Sequence, residues 1–207
     1  MPLEKLEATT EYAWGLWHVR ETEELLMDEI REFETVPANI RHEQKRLEFC
    51  VGRVLAKTLL EKLDGSFAGI VKDEFGKPFF KNSSFQLSLS HSFPYVGALI
   101  HKTKSAGIDV EQIKSKLLKI APRIMHPEEL QDAGSDETKH CIYWCAKEAL
   151  VKIYGKKDLT FAENLVISPF ELKNKGNITG RIIVNHTETA IPLYYEVHPG
   201  FTVVLNQ

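Results

Sequence analysis

Trp144-Cys145-Ala146-Lys147-Glu148-Ala149-Leu150-Val151-Lys152 is the stretch from which both the fold and the chemistry of this chain are read. As a helix over residues 140–155 it places Ile142, Cys145, Ala146, Ala149, Leu150 and Ile153 on one apolar stripe, which must face a core. Glu148 and Lys152 stand four residues apart on the flank of that stripe, where a stem can be packed while its charged head reaches a cleft. Taken alone, the same pair is what an exposed helix uses for about 0.2–0.5 kcal/mol of support.

Upstream, Gly107-Ile108-Asp109-Val110-Glu111 gives the pair a second meaning. In a strand, Ile108 and Val110 point to one face and Asp109 and Glu111 to the other, with attachment points about 6.5 Å apart. Two carboxylates converging on one side repel unless a cation lies between them. Mg²⁺ suits such a place, because it takes hard oxygen ligands and bridges protein carboxylates to substrate phosphates. The plain alternative is a half-buried strand with its polar face in water. Carboxylates around a metal, beside a lysine, are equipment for handling a phosphate ester.

The 207 residues are enough for one large domain or for two lobes of about a hundred residues each. A net charge of −3 argues against a dominant polyanion-binding role, and so against nucleic acid as a partner, while leaving room for local basic patches. No charged-then-apolar leader opens the sequence and no apolar run approaches the ~20 residues of a bilayer span, so a cytoplasmic protein without a membrane partner is expected. Cys50, Cys141 and Cys145 are odd in number and lack secreted-scaffold spacing, which fits reduced thiols and no disulfide. His140, Cys141 and Cys145 share one helix, but Cys145 belongs to the apolar stripe and no second ligand pair has zinc spacing, so structural zinc is not expected.

Along the chain, an aromatic strand over residues 12–19 leads into an acidic amphipathic helix over residues 22–33, with punctuation at Pro37 and Asn39. A long helix over residues 41–63 buries Leu47, Val51, Val54, Leu55 and Thr58, while Arg46, Arg53 and Lys57 fall on another stripe as a possible phosphate clamp or a solvated basic face. The turn Phe75-Gly76-Lys77-Pro78 displays Lys77 on a fixed support. Phe85, Leu87 and Leu89 alternate with Gln86, Ser88 and Ser90 as a half-buried strand ending at His91, and Pro94 turns the chain into an apolar strand over residues 95–100. Ser90 and His91 are not a nucleophile and its base, since neighbours on a strand point to opposite faces and no nucleophile elbow is present. They are read instead as donors to a bound phosphate. The polar, basic residues 102–105 mark a lobe boundary, giving an N-terminal lobe of residues 1–104 and a C-terminal lobe of residues 105–207. Beyond it come a helix over residues 113–125, a helix start at Pro127-Glu128-Glu129, and strands near residues 165–167, 179–184, 191–197 and 201–205.

Gly76-Lys77-Pro78, Leu89-Ser90-His91-Ser92, Gly107-Ile108-Asp109-Val110-Glu111 and Trp144-Cys145-Ala146-Lys147-Glu148-Ala149 with Lys152, in that order and spacing, resemble the 4′-phosphopantetheinyl transferase superfamily in its larger, Sfp-type branch. The motifs span residues 46–155, and the likeness extends more loosely to both ends. The resemblance implies an α+β fold, a pseudo-twofold duplication of two similar lobes with mainly antiparallel strands and coenzyme A in the cleft between them, working as a monomer. It implies transfer of the phosphopantetheine group from coenzyme A to a serine of an apo acyl or peptidyl carrier protein, with release of adenosine 3′,5′-bisphosphate. Asp109, Glu111 and Glu148 match the family's Mg²⁺ carboxylates, with Mn²⁺ as an alternative ion. Glu148 also matches the proposed base, and Lys152 the lysine on the transferring phosphate. Lys77, Ser90 and His91 match coenzyme A-binding positions, and Arg53 and Arg46 the arginines near the nucleotide's phosphates.

The chain departs from the family pattern in two places. Gly155-Lys156-Lys157-Asp158-Leu159 stands where Gly-X-Gly-Leu often follows the lysine helix. A third acidic position falls on Glu129 by spacing, with Glu128 adjacent. Two other readings belong to different classes of protein: another Mg²⁺-dependent nucleotide phosphoryl-transfer enzyme, and a non-catalytic module that binds coenzyme A or a carrier protein.

Overall fold

Alternating and helical periods sort the chain into two compact units that divide between Ala106 and Gly107. The computed structural model describes residues 3–156 and 158–207, so Lys157, part of the departure at residues 155–159, lies outside the described residues. In the first unit β1 (Leu3–Ala8), β2 (Tyr12–His18), β3 (Ile70–Lys72), β4 (Pro78–Phe80), β5 (Gln86–Ser92) and β6 (Tyr95–His101) form a sheet in the order β1-β2-β6-β5-β4-β3. Its pairings are antiparallel. Between β2 and β3 run α1 (Glu23–Asp28) and α2 (Glu43–Lys62). Val51, Leu55 and Leu59 of α2 recur at helical spacing and are fully buried, joining Leu87, Val96, Ala98 and Ile100 of β5 and β6 in one core.

The expected helix over residues 22–33 is shorter in the structure. It ends at Asp28 and continues as turns held by Ile30 N–H to Met27 O (3.1 Å) and Phe33 N–H to Ile30 O (2.9 Å). Asp28, Glu29 and Glu32 crowd its C-terminal end, where the helix dipole disfavours negative charge. Strand β1 is absent from the sequence reading because Leu3 and Leu6 are three apart and break the period of two. A register shift between Leu3 and Lys5 restores it, so both leucines pack on the core.

In the second unit β7 (Ile108–Gln112), β8 (Leu165–Ile167), β9 (Lys175–Val184), β10 (Thr187–His198) and β11 (Phe201–Asn206) pair in the order β7-β11-β10-β9-β8, again antiparallel. Helices α3 (Lys116–Ile124), α4 (Pro127–Ala133), α5 (Glu137–Tyr154) and α6 (Phe161–Asn164) lie between β7 and β8 in sequence. The β9–β10 hairpin runs longer than alternation implies, because its outer residues 187–190 are exposed and leave no hydrophobic signal. Asn185 and His186, both at positive φ, close it with the two-residue turn that suits strand twist.

Helix α5 starts where the Asp136 carboxylate accepts the Lys139 N–H at 2.9 Å, a cap worth about 1 kcal/mol. It stops at Gly155, whose φ of 79° is open to glycine at little cost. Of the expected stripe, Ile142, Cys145, Ala146, Ala149 and Leu150 are buried and Ile153 is half-buried against the core, and His140, Tyr143 and Lys147 are buried too, because α3, α4 and β8 also lie against this helix. The α+β architecture with mainly antiparallel strands is thus what the chain forms, with one long helix against a sheet in each unit. Among the described residues no helix is long and apolar enough to cross a membrane.

Candidate active site

Asp109 and Glu111 lie on β7, an edge strand of the second sheet, and both meet residues of α5, Asp109 buried and Glu111 half-buried. Asp109 is 5% exposed, and its Oδ1 accepts a hydrogen bond from Lys152 Nζ at 2.8 Å. Glu111 Oε1 accepts from the Trp144 indole N–H at 3.2 Å, and the Trp144 ring stacks on Phe161 with centroids 5.3 Å apart. Ile108 and Val110, on the other face of the strand, are buried as well. The polar face therefore belongs to the interior of the unit, which sets aside the solvent-facing alternative.

What brings helix and strand this close is Gly107. A Cβ there would run into the Ala149 carbonyl oxygen and stand 2.6 Å from Ile153 Cγ1. With no side chain in the way, Lys152 Nζ reaches both Asp109 and the Ile108 carbonyl, the latter at 2.7 Å.

Glu148, one turn before Lys152, is the most perturbed carboxyl of the group. Burial, then the negative charge of Asp109, push its pKa up to about 7; Lys152 pulls it down and Glu111 adds a smaller push upward. That is the signature of carboxylates gathered with too little positive charge among them. Among the described residues no three His, Cys, Asp or Glu side chains already converge into a coordination shell. The donor set nevertheless fits a hard divalent cation: oxygen ligands only, like charges felt at Glu148, and one lysine offsetting them. Asp109, Glu111 and Glu148 are the residues that could hold it.

Beneath this face, Cys141 Sγ and Cys145 Sγ each lie 3.3 Å from Thr202 Oγ1, on β11 opposite Glu111. Burial pushes the Cys145 thiol well above its ordinary value, so it behaves as a small packed side chain and not as a thiolate ligand. The three cysteines are free, in line with the absence of a disulfide.

The third acidic position has a different role from that of the strand carboxylates. Glu129 and Lys147 are both fully buried and paired at 2.9 Å. Glu129 also accepts the Ile167 N–H and the His126 N–H, each at 2.7 Å, while Lys147 donates to the Phe161 and Leu165 carbonyls. With those partners Glu129 ties α4, α5 and β8 together, and Glu128 beside it is exposed at the start of α4. Breaking such a pair by removing one partner costs about 3–5 kcal/mol.

The first unit holds a cavity of about 630 Å³ at the N-terminal end of α2. Arg53, Ser90 and His91, three of the residues singled out from the sequence, line it. Ser90 is buried and His91 is exposed, as strand alternation requires, yet both reach the cavity where β5 ends. The Arg53 guanidinium stacks 3.3 Å from the Phe49 ring centroid and stands 3.6 Å from Glu34; burial lowers its pKa against the pull of that carboxylate.

Three expected positions differ, since Arg46, Lys57 and Lys77 are not among the described lining residues. Arg46 is engaged by both Glu23 oxygens at 2.6 Å and by the Ile40 carbonyl, and is not among the described lining residues. Lys57 bonds the Glu29 carbonyl at 2.9 Å, so the three-cation stripe does not act together. Lys77 sits on its turn with neighbours Gly76 and Pro78 lining the cavity, and burial lowers its pKa more than Asp73 raises it. The cations that join Arg53 are instead Arg41, Lys45 and Lys72, with His42 beside them. Residues 45, 49, 52 and 53 follow helical spacing, a pattern visible in the sequence once Lys45, and not Arg46, begins the count.

A model of the 4′-phosphopantetheinyl transferase superfamily matches residues 105–203, a span that includes every carboxylate of the group together with Lys152. Over its second unit, the chain is similar to this superfamily. It is 32% identical over 126 residues to the 4′-phosphopantetheinyl transferase HetI of Nostoc sp., covering 54% of this chain and 53% of that protein. It is 29% identical over 136 residues to the 4′-phosphopantetheinyl transferase psf-1 of Bacillus pumilus, covering 63% and 56%. A 4′-phosphopantetheinyl transferase of Bacillus subtilis aligns at 26% over 164 residues, covering 74% and 70%. The chain thus spans little more than half the length of the first two superfamily relatives.

Proposed function

We propose that this chain transfers the 4′-phosphopantetheine group of coenzyme A to a serine hydroxyl of an apo acyl or peptidyl carrier protein, releasing adenosine 3′,5′-bisphosphate. The observation that carries the reading is Glu148, a carboxyl held at about 7 by burial and by Asp109, one helical turn from Lys152, within a superfamily match. The serine oxygen forms a bond to the phosphorus that carries pantetheine as the bond from that phosphorus to the nucleotide's phosphate oxygen breaks. The serine proton passes to Glu148, whose value near neutrality makes it both available and basic enough. Lys152 gives Asp109 and the Ile108 carbonyl one proton each, which leaves a third N–H for the transferring phosphoryl oxygen. Asp109 and Glu111, with Glu148, would hold Mg²⁺ or Mn²⁺, which when bound neutralises charge on the diphosphate. The cavity of the first unit, with Arg41, Lys45, Arg53 and His91, suits the nucleotide's phosphates. The chain is expected to act as a cytoplasmic monomer.

Intact-protein mass spectrometry of a panel of apo carrier proteins, incubated with this chain, coenzyme A and Mg²⁺, tests the reading. A mass gain of one phosphopantetheine, abolished by EDTA and by Asp109→Ala, is the expected result. Consumption of coenzyme A without any acceptor protein would point instead to hydrolysis of the nucleotide. Binding of coenzyme A with no transfer to any carrier would favour a non-catalytic module.

A further inference from the structure

Within the cation-lined cavity of the first unit stands one carboxylate, Glu48, only 4% exposed. A negative charge in a pocket for anions is a liability unless it has a task of its own. Its surroundings indicate the task. Glu48 Oε1 accepts from Gln44 Nε2 at 2.9 Å, and Oε2 accepts from Lys45 Nζ at 2.6 Å and lies 3.4 Å from His91 Nδ1. The side chains of Lys45 and His91 are 54% and 52% exposed, so the buried carboxylate underlies two half-exposed donors. Burial alone would lift its carboxyl, but the hydrogen bonds from Lys45 and Gln44 and the charge of His91 outweigh it and hold the group below its ordinary value. It is therefore ionised across the neutral range.

We propose that Glu48 is a positioning residue for the ligand's phosphate: it anchors Lys45, and His91 through Nδ1 when the imidazole is protonated, so that the remaining Lys45 protons and the Nε2–H of that imidazolium are presented together to one anion. The inference rests on the nucleotide reading given above. A long lysine chain on a helix surface samples many rotamers, and fixing it in advance removes an ordering cost that would otherwise be met on binding. Gln44 fills the second carboxylate oxygen, so the anchor is itself fixed from the same helix.

A purely electrostatic role has the opposite sign. If Glu48 were only a misplaced charge, neutralising it would tighten anion binding, because two like charges in one pocket repel. Isothermal titration of adenosine 3′,5′-bisphosphate into the parent chain and Glu48→Gln separates the two. Positioning predicts binding weaker by about 5- to 20-fold, the size of one or two lost charge-assisted contacts. In a background lacking both donors, Lys45→Ala with His91→Ala, the same change should cost less than about twofold. Thermal denaturation alongside records any general loss of fold. With an acceptor in hand, KM for coenzyme A should rise in Glu48→Gln while kcat at saturation holds. Should Glu48→Gln not fold, Glu48→Asp keeps the charge but withdraws it by one methylene, and about threefold weaker binding is expected. Tighter or unchanged binding in Glu48→Gln, or an equal loss in the background without the donors, overturns the positioning role and leaves the nucleotide reading standing. A parent chain that binds no adenosine 3′,5′-bisphosphate overturns both.

Discussion

In the first unit a buried carboxylate, Glu48, lies under half-exposed Lys45 and His91, whereas in the second a buried carboxylate, Asp109, is met from above by a single lysine, Lys152, that is 27% exposed. Each unit sets a long helix, α2 or α5, against an antiparallel sheet, yet the balance of charge is reversed. Cations outnumber the carboxylate around the first cavity, and carboxylates outnumber the lysine on β7 and α5. Glu129 and Lys147 supply a third case, an ion pair 0% exposed on both sides and closed by backbone partners. Accessibility separates the three. A pair with open donors or acceptors can meet a ligand, and one whose every partner is internal can only hold the fold.

The largest expected effect tests which side of the comparison does chemistry. Asp109→Ala should lower phosphopantetheine transfer by about a thousandfold, read as mass gain on an apo carrier protein, because it removes the carboxylate proposed to hold the metal and the partner of Lys152. A loss below tenfold would move the chemistry away from β7.

Two lysines of α5, Lys147 and Lys152, should then part company. Lys147→Met leaves Glu129 buried and unpaired, and is expected to cost about 3–5 kcal/mol in urea unfolding. Lys152→Met should cost under about 1 kcal/mol, as a partly exposed pair does. Its activity should fall by about a hundredfold all the same. Equal stability losses at both positions would erase the distinction drawn between internal and open pairs.

Titration of Glu148 gives a further separation. Its carboxyl stands near 7 in the folded chain against an ordinary 4.5, so the folded state keeps a proton that the unfolded state has released. Stability without metal should therefore fall as pH rises from about 4.5 to 7, and Glu148→Gln should flatten that slope. If Glu148 is the base, activity with Mg²⁺ rises with pH below that metal-free region, since a bound cation favours the carboxylate, and Asp109→Asn shifts the metal-free stability slope to lower pH by removing a charge that holds the proton on. An activity profile indifferent to Glu148→Gln would take Glu148 out of the proton transfer.

The smallest effect lies in the first unit. Arg53→Ala should weaken adenosine 3′,5′-bisphosphate about tenfold, whereas Arg46→Ala, already committed to Glu23, should change it less than threefold by calorimetry. The reverse order would mean that Arg46 exchanges Glu23 for the ligand.

Sequence periodicity carried the long elements well. Helices α2 and α5 follow from buried residues at spacings of three to four, because each has a face that must be covered, whereas strands β5, β6 and β11 were legible from their apolar residues although both of their faces are largely buried. Where both sides meet water, as in the outer part of the β9–β10 hairpin, there was no pattern to read, and where a bulge resets the register, as in β1, the pattern misled. The site divides in the same way. That Asp109 and Glu111 share one strand face, and Glu148 and Lys152 one helix flank, was legible because strand and helix periods fix those faces. Arg41, His42, Lys45 and Lys72 were not, since their meeting depends on how the N-terminal end of α2 lies beside β5 and the turn at Gly76. Arg46 was misplaced for a related reason: helical spacing shows which residues share a stripe, but not that Glu23 of α1 would claim one of them.

Gly107 bears on how the protein would fail. It has no functional group, yet any side chain there would wedge against Ala149 and Ile153 and lift α5 off β7. Lys152 would then lose its reach to Asp109 even though every reactive residue remained in the sequence. A genetic screen for inactive variants should return this position alongside the carboxylates, and its lesions should be rescued neither by restoring charge nor by trimming Ile153 alone, because the Ala149 carbonyl oxygen would still stand in the way.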